Sequence, residues 1–301
     1  MSAKSRAAPW LATLSIFMAA FASAQTLPMP DQGKFLATAG ASTAEGAGGG
    51  ALSAWSLITG YGTRDSYGAN VHYGYINLQD FSLSAPGVAV GLFDRVELSY
   101  AYWDFKATGG ALDGVKIKQD IFGVKVKVLG DAVYDQNTWV PQVAVGVQFK
   151  HNKGISGVEG LGVFNPTDLG AKKNTGTDFY VTATKIYLAQ SLLVSGGVRF
   201  TKANQFGLLG FGGDLKDKYR AEFEGSIAYL IDPRFGVGAE YRTKPHNLGV
   251  DDERDWWDVF MVWIPNKNAS LVVGYLDAGT ILKPFNPAQQ RGVYVSLQVG
   301  F

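Results

Sequence analysis

Apolar residues recur at every second position over most of this chain, and no other feature constrains its fold as tightly. Trp139, Pro141, Val143, Val145, Val147 and Phe149 form one row; Gln142, Ala144, Gly146, Gln148 and Lys150 form the other. A strand sends alternate side chains to opposite faces, so this stretch reads as a strand with one wholly apolar side. Trp139 to Phe149 spans about 33 Å along a strand. At a tilt near 40° that becomes about 25 Å, the height of the lipid-facing band of an outer-membrane barrel. Aromatics close the row at both ends, and Trp257, Val259, Met261 and Trp263 repeat the plan. A soluble sandwich has no reason to cap its apolar rows this way, whereas two membrane interfaces do. The last stretch follows suit: Val293, Val295, Leu297, Val299 and Phe301 alternate with Tyr294, Ser296, Gln298 and Gly300. An apolar strand left at the edge of a soluble sheet invites aggregation, but in a closed barrel it seals the wall.

The beginning of the chain indicates the compartment. Lys4 and Arg6 precede an apolar stretch from Trp10 to Ala22, and Ala22-Ser23-Ala24 supplies a small-residue cleavage site. This pattern predicts a secretory signal peptide over 1–24, followed by a loose lead over 25–33 that contains Pro28 and Pro30. Cleavage removes two positive charges and takes the formal net charge from +1 to −1, so bulk charge does not draw the chain to nucleic acid. The sequence holds no cysteine, which excludes disulfides and thiolate metal sites. Beyond residue 24 no run of eighteen apolar residues occurs, so any membrane span must be built from strands.

Residues 34–301 therefore read as one all-β domain, a transmembrane antiparallel β-barrel of the outer-membrane type. Long connections at roughly 151–176, 203–218, 245–255 and 278–290 alternate with short turns such as Ile231-Asp232-Pro233-Arg234 and Ile264-Pro265-Asn266-Lys267. That alternation belongs to periplasmic turns and outer loops. Twelve strands follow from Val71 onward. Fourteen is favoured if Phe35–Thr43 and Trp55–Tyr61 both join the wall; whether residues 34–50 form a strand or a plug stays open. The loop Glu45 to Ala51 contains a loose G-x-G-x-x-A, but the period-two stretch that follows it rules against a phosphate loop, leaving a flexible loop. Val115 and Ile117 oppose the parity of Phe122, Val124, Val126 and Val128, predicting a bulge near Gln119 or Asp120.

Several blocks resemble a known family. Glu45-Gly46-Ala47-Gly48-Gly49-Gly50 with Trp55 and Gly60-Tyr61-Gly62 is one, and Gly87-Val88-Ala89-Val90-Gly91-Leu92-Phe93-Asp94-Arg95-Val96-Glu97-Leu98-Ser99-Tyr100 is another. With Gly196-Gly197-Val198-Arg199-Phe200-Thr201-Lys202-Ala203-Asn204 they are similar to the uncharacterised proteobacterial family called domain of unknown function 3034. The resemblance implies an outer-membrane protein and supplies no activity or functional residue. The terminal Phe301 with Val299, Leu297 and Val295 is also similar to the signal that the barrel-assembly machinery recognises.

Signs of chemistry are few. The histidines are His72, on an inward face beside Asn70 and Gly74, and His151 and His246 in outer loops. No serine accompanies His72 on its strand, and no metalloprotease or Walker motif occurs, so no catalytic, cofactor-binding or metal residue is assigned. Asp251, Asp252, Glu253 and Asp255 read as a solvated acidic loop, with a cation bridge to lipopolysaccharide as the rival reading. Charges cannot face lipid at mid-depth. Alternation therefore points Arg95, Glu97, Lys125, Lys127, Gln148, Lys185, Arg199, Arg220, Glu222, Glu224, Glu240 and Arg242 inward as pore-lining residues. Inward Gly146, Gly197, Gly238, Gly274 and Gly300 are expected to free lumen volume. The expectation is a narrow passive channel for small hydrophilic solutes with a mild anion preference, in contact with outer-membrane lipid and lipopolysaccharide. The alternatives are a structural or adhesive barrel with a closed, salt-bridged lumen and, further off, a barrel hydrolase.

Overall fold

The computed structural model describes residues 36–158 and 162–301. The expected signal peptide (1–24) and lead (25–33) lie outside the described residues. The wall is made by β1 (Tyr67–Leu78), β2 (Phe81–Leu92), β3 (Val96–Ala107), β4 (Lys116–Leu129) and β5 (Gln142–Val158). It continues through β7 (Thr175–Tyr187), β8 (Leu192–Thr201), β9 (Arg220–Asp232), β10 (Phe235–Arg242), β11 (Trp256–Asn266), β12 (Ala269–Asp277) and β13 (Arg291–Gly300). The three-residue β6 (Gly162–Phe164) only extends β5 in an outer loop. Each wall strand pairs antiparallel with the next, and β13 returns to β1 with Val299 opposite Val71. The barrel is closed with twelve strands, so every backbone ladder is satisfied within the wall, as a lipid environment requires. Among the described residues no helix is long and apolar enough to cross a membrane.

The favoured fourteen is thus corrected to twelve. The direct β1–β13 seam leaves no edge for Phe35–Thr43 or Trp55–Tyr61 to occupy. The described part of that stretch lies inside the barrel, with only isolated bridges such as Ser42–Gly48 and Gly49–Ala54. Its period-two look arises from a folded-back segment that meets the inner wall, not from a strand.

Two smaller readings also change. Trp139 and Pro141 precede β5, and Trp139 is 84% exposed beyond its end, so the apolar row on that strand runs only from Val143 to Phe149. The bulge does not lie in β4, whose odd residues from Ile117 to Lys127 all turn inward. It lies opposite, where β5 carries an extra residue between the Asn152 and Ile155 pairings and Gly154 adopts φ +95°. Ile117 and Ile121 are apolar because the lumen they face is apolar, as described below.

Outside, the wall presents Val124, Val145, Val181, Val194, Ile227, Val259 and Val273 between two aromatic belts. The upper belt includes the ring pairs Tyr100–Phe122 at 4.9 Å, Phe179–Tyr219 at 5.9 Å and Trp257–Tyr275 at 6.3 Å. The lower belt includes Phe235 opposite Trp263, with Tyr187 and Tyr229. This amphipathic profile fits two membrane interfaces with hydrocarbon between them. Short turns at 93–95, 233–234 and 267–268 mark the periplasmic end, where β1 starts and β13 finishes.

Arginine in the middle of the lipid band costs roughly 2–4 kcal/mol and little near an interface. Val145→Arg is therefore expected to lower the folded yield in lipid vesicles, while Leu188→Arg, at an exposed periplasmic turn, leaves it near wild type. Equal heat-modifiable bands for the two variants on a gel would contradict the membrane placement.

Candidate functional site: the plugged lumen

Residues 36–62 fill the centre of the barrel. Between Leu36 and Gly62 this plug is largely Gly, Ala, Ser and Thr, and Glu45 is its sole residue of the Asp, Glu, Lys and Arg set. Such a segment buries too little apolar surface to hold a shape by itself. The wall supplies the partners its backbone needs. Glu97 accepts from Gly48 N at 2.8 Å and Thr59 N at 2.9 Å. Lys125, paired with Glu97 at 3.0 Å, donates to the carbonyls of Gly48 and Trp55, each at 3.0 Å. Glu240 accepts from Leu52 N at 2.9 Å, Ser53 N at 3.3 Å and the Ser226 hydroxyl at 2.6 Å. Gly50 permits that approach, because a Cβ there would lie 2.0 Å from Glu240 Oε1. Thr182 and Ser226 anchor Ala54 O and the Trp55 indole, each at 2.9 Å. The glycine loop is therefore a packed element and not a flexible loop.

Glu45 sits at the hub. Arg242 donates to it at 2.6 Å, Lys150 contacts its other oxygen, and Arg199 stands 4.0 Å away. The cations have further partners: Asp178 at 2.6 Å from Lys150, and Glu224 at 3.1 Å from Arg199 and 3.6 Å from Arg242. Gln148 accepts from Arg199 at 2.6 Å, and the Arg199 guanidinium lies 4.7 Å over the Tyr180 ring. All these charged groups are nearly or fully buried. Burial by itself would raise the Glu45 carboxyl, but Arg242, Lys150 and Arg199 outweigh it and hold the group well below the ordinary carboxylate range. Removing one member of a buried ionic set costs about 3–5 kcal/mol, since its partners lose their compensation.

Glu97, Lys125, Gln148, Arg199, Glu224, Glu240 and Arg242 thus converge on the plug. The others do not. Glu222 bonds the Thr243 hydroxyl at 2.6 Å, with Arg220 exposed 3.8 Å away at the outer rim. Arg95 lies in a periplasmic turn, donating to Lys127 O, and Lys127 pairs there with Asp94 at 2.6 Å and Asp131 at 3.2 Å. Lys185 belongs to the outer row, opposite Val194, and reaches down to the carbonyls of Asp135 and Val140 in the loop between β4 and β5. Its inward assignment is corrected: a long aliphatic stem lets a lysine at the interface carry its charge out of the lipid. Glu45, Lys150 and Asp178 complete the hub without appearing among the expected residues. Parity alone was enough to place Lys150 and Asp178 inside; nothing local marked Glu45.

Four of the five inward glycines do not open the lumen, and Gly197 lies against the Val181 carbonyl of the neighbouring strand. The Tyr180, Phe260 and Tyr294 rings lie over Gly146, Gly238 and Gly274, where a Cβ would fall 2.1, 2.3 and 2.4 Å from them. Ala39 of the plug likewise covers Gly300. His72 is buried over Gly87, and neither of its ring nitrogens has a hydrogen-bond partner.

Above the plug, outer loops fold inward and form an apolar tier. Phe206 packs on Trp256 at 4.6 Å and Trp103 at 6.3 Å, among Leu209, Leu248 and Ile281. The expected solvated acidic loop is part of this cap. Asp251 and Glu253 turn inward; Gln205 donates to Asp251 at 2.9 Å and its backbone N–H to Glu253 at 2.7 Å. Lys244 lies 3.7 Å from Glu253, whereas Asp252 stays outside, against Lys283 at 2.9 Å, and Asp255 accepts from the outward Tyr241 hydroxyl and from Lys244 N at 3.2 Å. Among the described residues no cluster suited to a metal ion occurs.

Over residues 38–298 the sequence matches the family described as Protein of unknown function (DUF3034). The chain belongs to that family. The match takes in the plug as well as the wall, so DUF3034 describes both together. The NanC porin superposes with a TM-score of 0.50 at 10% identity, over 77% of this chain and 98% of that one. The KdgM porin gives 0.47 at 11% identity, over 77% and 99%. Omp33 of Acinetobacter baumannii gives 0.45 at 7% identity, over 79% and 100%. The likeness to NanC is one of fold, a closed barrel of the outer-membrane type. No curated protein matches the sequence.

Burial raises the carboxyls of Asp251 and Glu253, more than Lys244 can offset, and the same burial lowers the Lys244 ammonium. A carboxyl raised on folding stabilises below the ordinary carboxylate range, and that contribution is lost as pH climbs through the raised value. Melting of the refolded protein should therefore fall over that climb. Glu253→Gln should flatten the dependence and raise the neutral-pH melting temperature by about 2–4 °C. An unchanged or lower melting temperature would show that the ionised acid is not a burden on the cap.

Proposed function

We propose that this DUF3034 chain is an outer-membrane channel held shut by its own N-terminal segment, and that small hydrophilic solutes pass passively when residues 36–62 are displaced. One observation carries the reading: polar contacts hold the plug, and its only charge is locked by Lys150, Arg199 and Arg242. Taking the plug away leaves a passage whose wall carries those cations with Lys125, balanced by Glu97, Asp178, Glu224 and Glu240. Rings of fixed charge are a common way for a pore to choose its solutes. The balance of signs argues for weak selectivity. It does not favour the anion preference expected from an excess of Lys125, Lys127, Lys185 and Arg199, because Lys127 and Lys185 lie away from the plug and Lys125 and Arg199 are each paired with a carboxylate.

The apolar tier of outer loops supports a second reading, a closed structural barrel, because it blocks the same axis from the other end. Planar-bilayer recording separates the two. The full chain should be mostly silent with rare openings, whereas Glu45→Gln should open far more often, the hub having lost roughly 3–5 kcal/mol. Deletion of 36–62 should give steady steps if the wall still folds. A folded Glu45→Gln barrel that stays silent and passes no solute in liposomes would move the assignment to the structural reading.

The reading also makes β13 the element by which the assembly machinery takes up the chain. Phe301 exchanges backbone hydrogen bonds with Ala69 at 2.9 and 3.0 Å and accepts from Tyr61 N at 3.2 Å, tying the seam to the plug. Loss of Phe301 should lower the outer-membrane level of the protein, while Asp252→Asn, at an exposed loop position, leaves it unchanged. Normal levels of the truncated chain would refute this role.

A further inference from the structure

The periplasmic half of the lumen contains a space that neither the plug nor the outer loops fill. It is a cavity of about 220 Å³, bounded by Leu36 and Leu57 of the plug and by Leu193, Ala228, Leu230 and Val262 of the wall. The inward rows change character on reaching it. On β9 they run Glu222, Glu224, Ser226 and then Ala228 and Leu230; on β11, Asp258 is followed by Phe260, Val262 and Ile264. Barrel interiors are ordinarily polar. Here apolar side chains face the lumen, and Leu193, Ala228, Leu230 and Val262 remain only half-buried.

The polar groups at its far edge are already satisfied. Ser270 donates to Gln298 at 2.8 Å, Gln298 donates to Ser296 at 3.1 Å, and Tyr294 donates to Asp258 at 3.0 Å. The remaining lining is chiefly apolar, so contact with a ligand here is chiefly apolar contact. From these observations we infer that the cavity is a binding site for a small apolar molecule, a single aromatic ring or a short alkyl chain. A dry apolar cavity of roughly 150 Å³ suffices for benzene. Leu188 and Ser191 of the periplasmic turn line one end of the site, and entry from that end is part of the inference. Once bound, it touches plug and wall together, and it favours the state in which the plug is seated. The inference does not depend on the channel reading, since binding is measured with the plug in place.

The test uses the full chain refolded in lipid nanodiscs and a small apolar photoprobe that carries one phenyl ring, phenyl(trifluoromethyl)diazirine. Adducts are mapped by mass spectrometry. Strand alternation provides an internal control, because Leu193 and Ala228 face the cavity while their neighbours Val194 and Ile227 face lipid. Labelling at Leu193, Leu230 and Val262 should saturate and be displaced by excess toluene. Labelling at Val194 and Ile227 should rise without saturation. Ala228→Phe, which fills the cavity, should cut the saturable signal by about tenfold, with heat-modifiable mobility unchanged. If that variant does not fold, Leu193→Asn, which makes the lining polar, serves in its place and should give the same loss. Labelling confined to the lipid rows, or lumen labelling that toluene does not displace, would overturn the inference. So would a saturable signal that appears only after residues 25–35 are removed, because the chain's own lead would then be the occupant.

Discussion

Glu45 closes a charge balance that the wall leaves incomplete. Lys150, Arg199 and Arg242 project into one small volume, and the wall offers them only Asp178 and Glu224. Two carboxylates cannot neutralise three buried cations, and the plug brings the third. The dependence is mutual. A segment of Gly, Ala, Ser and Thr has little apolar surface with which to offset the entropy of ordering its backbone. It takes its shape from donors and acceptors on the wall, notably Glu97, Lys125 and Glu240. Plug and wall are therefore two halves of one buried network. Apart from each other, the first would lack order and the second would carry uncompensated charge.

The filling of the lumen explains why the inward rows are not uniformly polar. They are ionic beside the plug and apolar beneath the outer loops, where Trp103, Ile117 and Ile121 meet Phe206 and its neighbours. They are apolar again beside the periplasmic cavity. Period-two alternation reports which side of the wall a residue faces. It does not report what lies on that side. That distinction accounts for β4, where inward isoleucines imitate a change of phase although the strand keeps one phase from Ile117 to Lys127.

The fold was legible wherever its causes were local. Alternation located the strands from Val71 onward, separated Val145 from Gln148, and set the four longest connections at the end opposite the turns at 93–95, 233–234 and 267–268. The hub was half legible, because parity placed Arg199, Glu224 and Arg242 inside without showing that they meet. The plug was not legible, because its order is non-local: Leu52 bonds Glu240, and Glu45 bonds Arg242, across most of the chain's length. The acids at Asp251 and Glu253 misled for the same reason, since Gln205, which donates to both, lies on the loop between β8 and β9. Trp139 misled differently. An interfacial tryptophan keeps the alternating rhythm just past the end of a strand, so the row looks longer than the ladder that holds it.

Strand number and plug imply one another. Eight strands enclose an interior that side chains alone can fill, while sixteen or more leave an open aqueous channel. Twelve leave a space too wide for the wall's own side chains to close, even with Tyr180, Phe260 and Tyr294 laid across inward glycines. Had both early segments joined the wall as the thirteenth and fourteenth strands, the lumen would have been larger and would have lost its filler at the same time. Instead they turn inward, and the outer loops close the upper end above them. Among the described residues a cavity remains between Leu57 and the periplasmic ends of β8 to β12, and its lining is chiefly apolar. A few larger side chains on β8 and β9 would close this apolar pocket, so the lumen departs here from the close packing it reaches around the hub and beneath the outer loops.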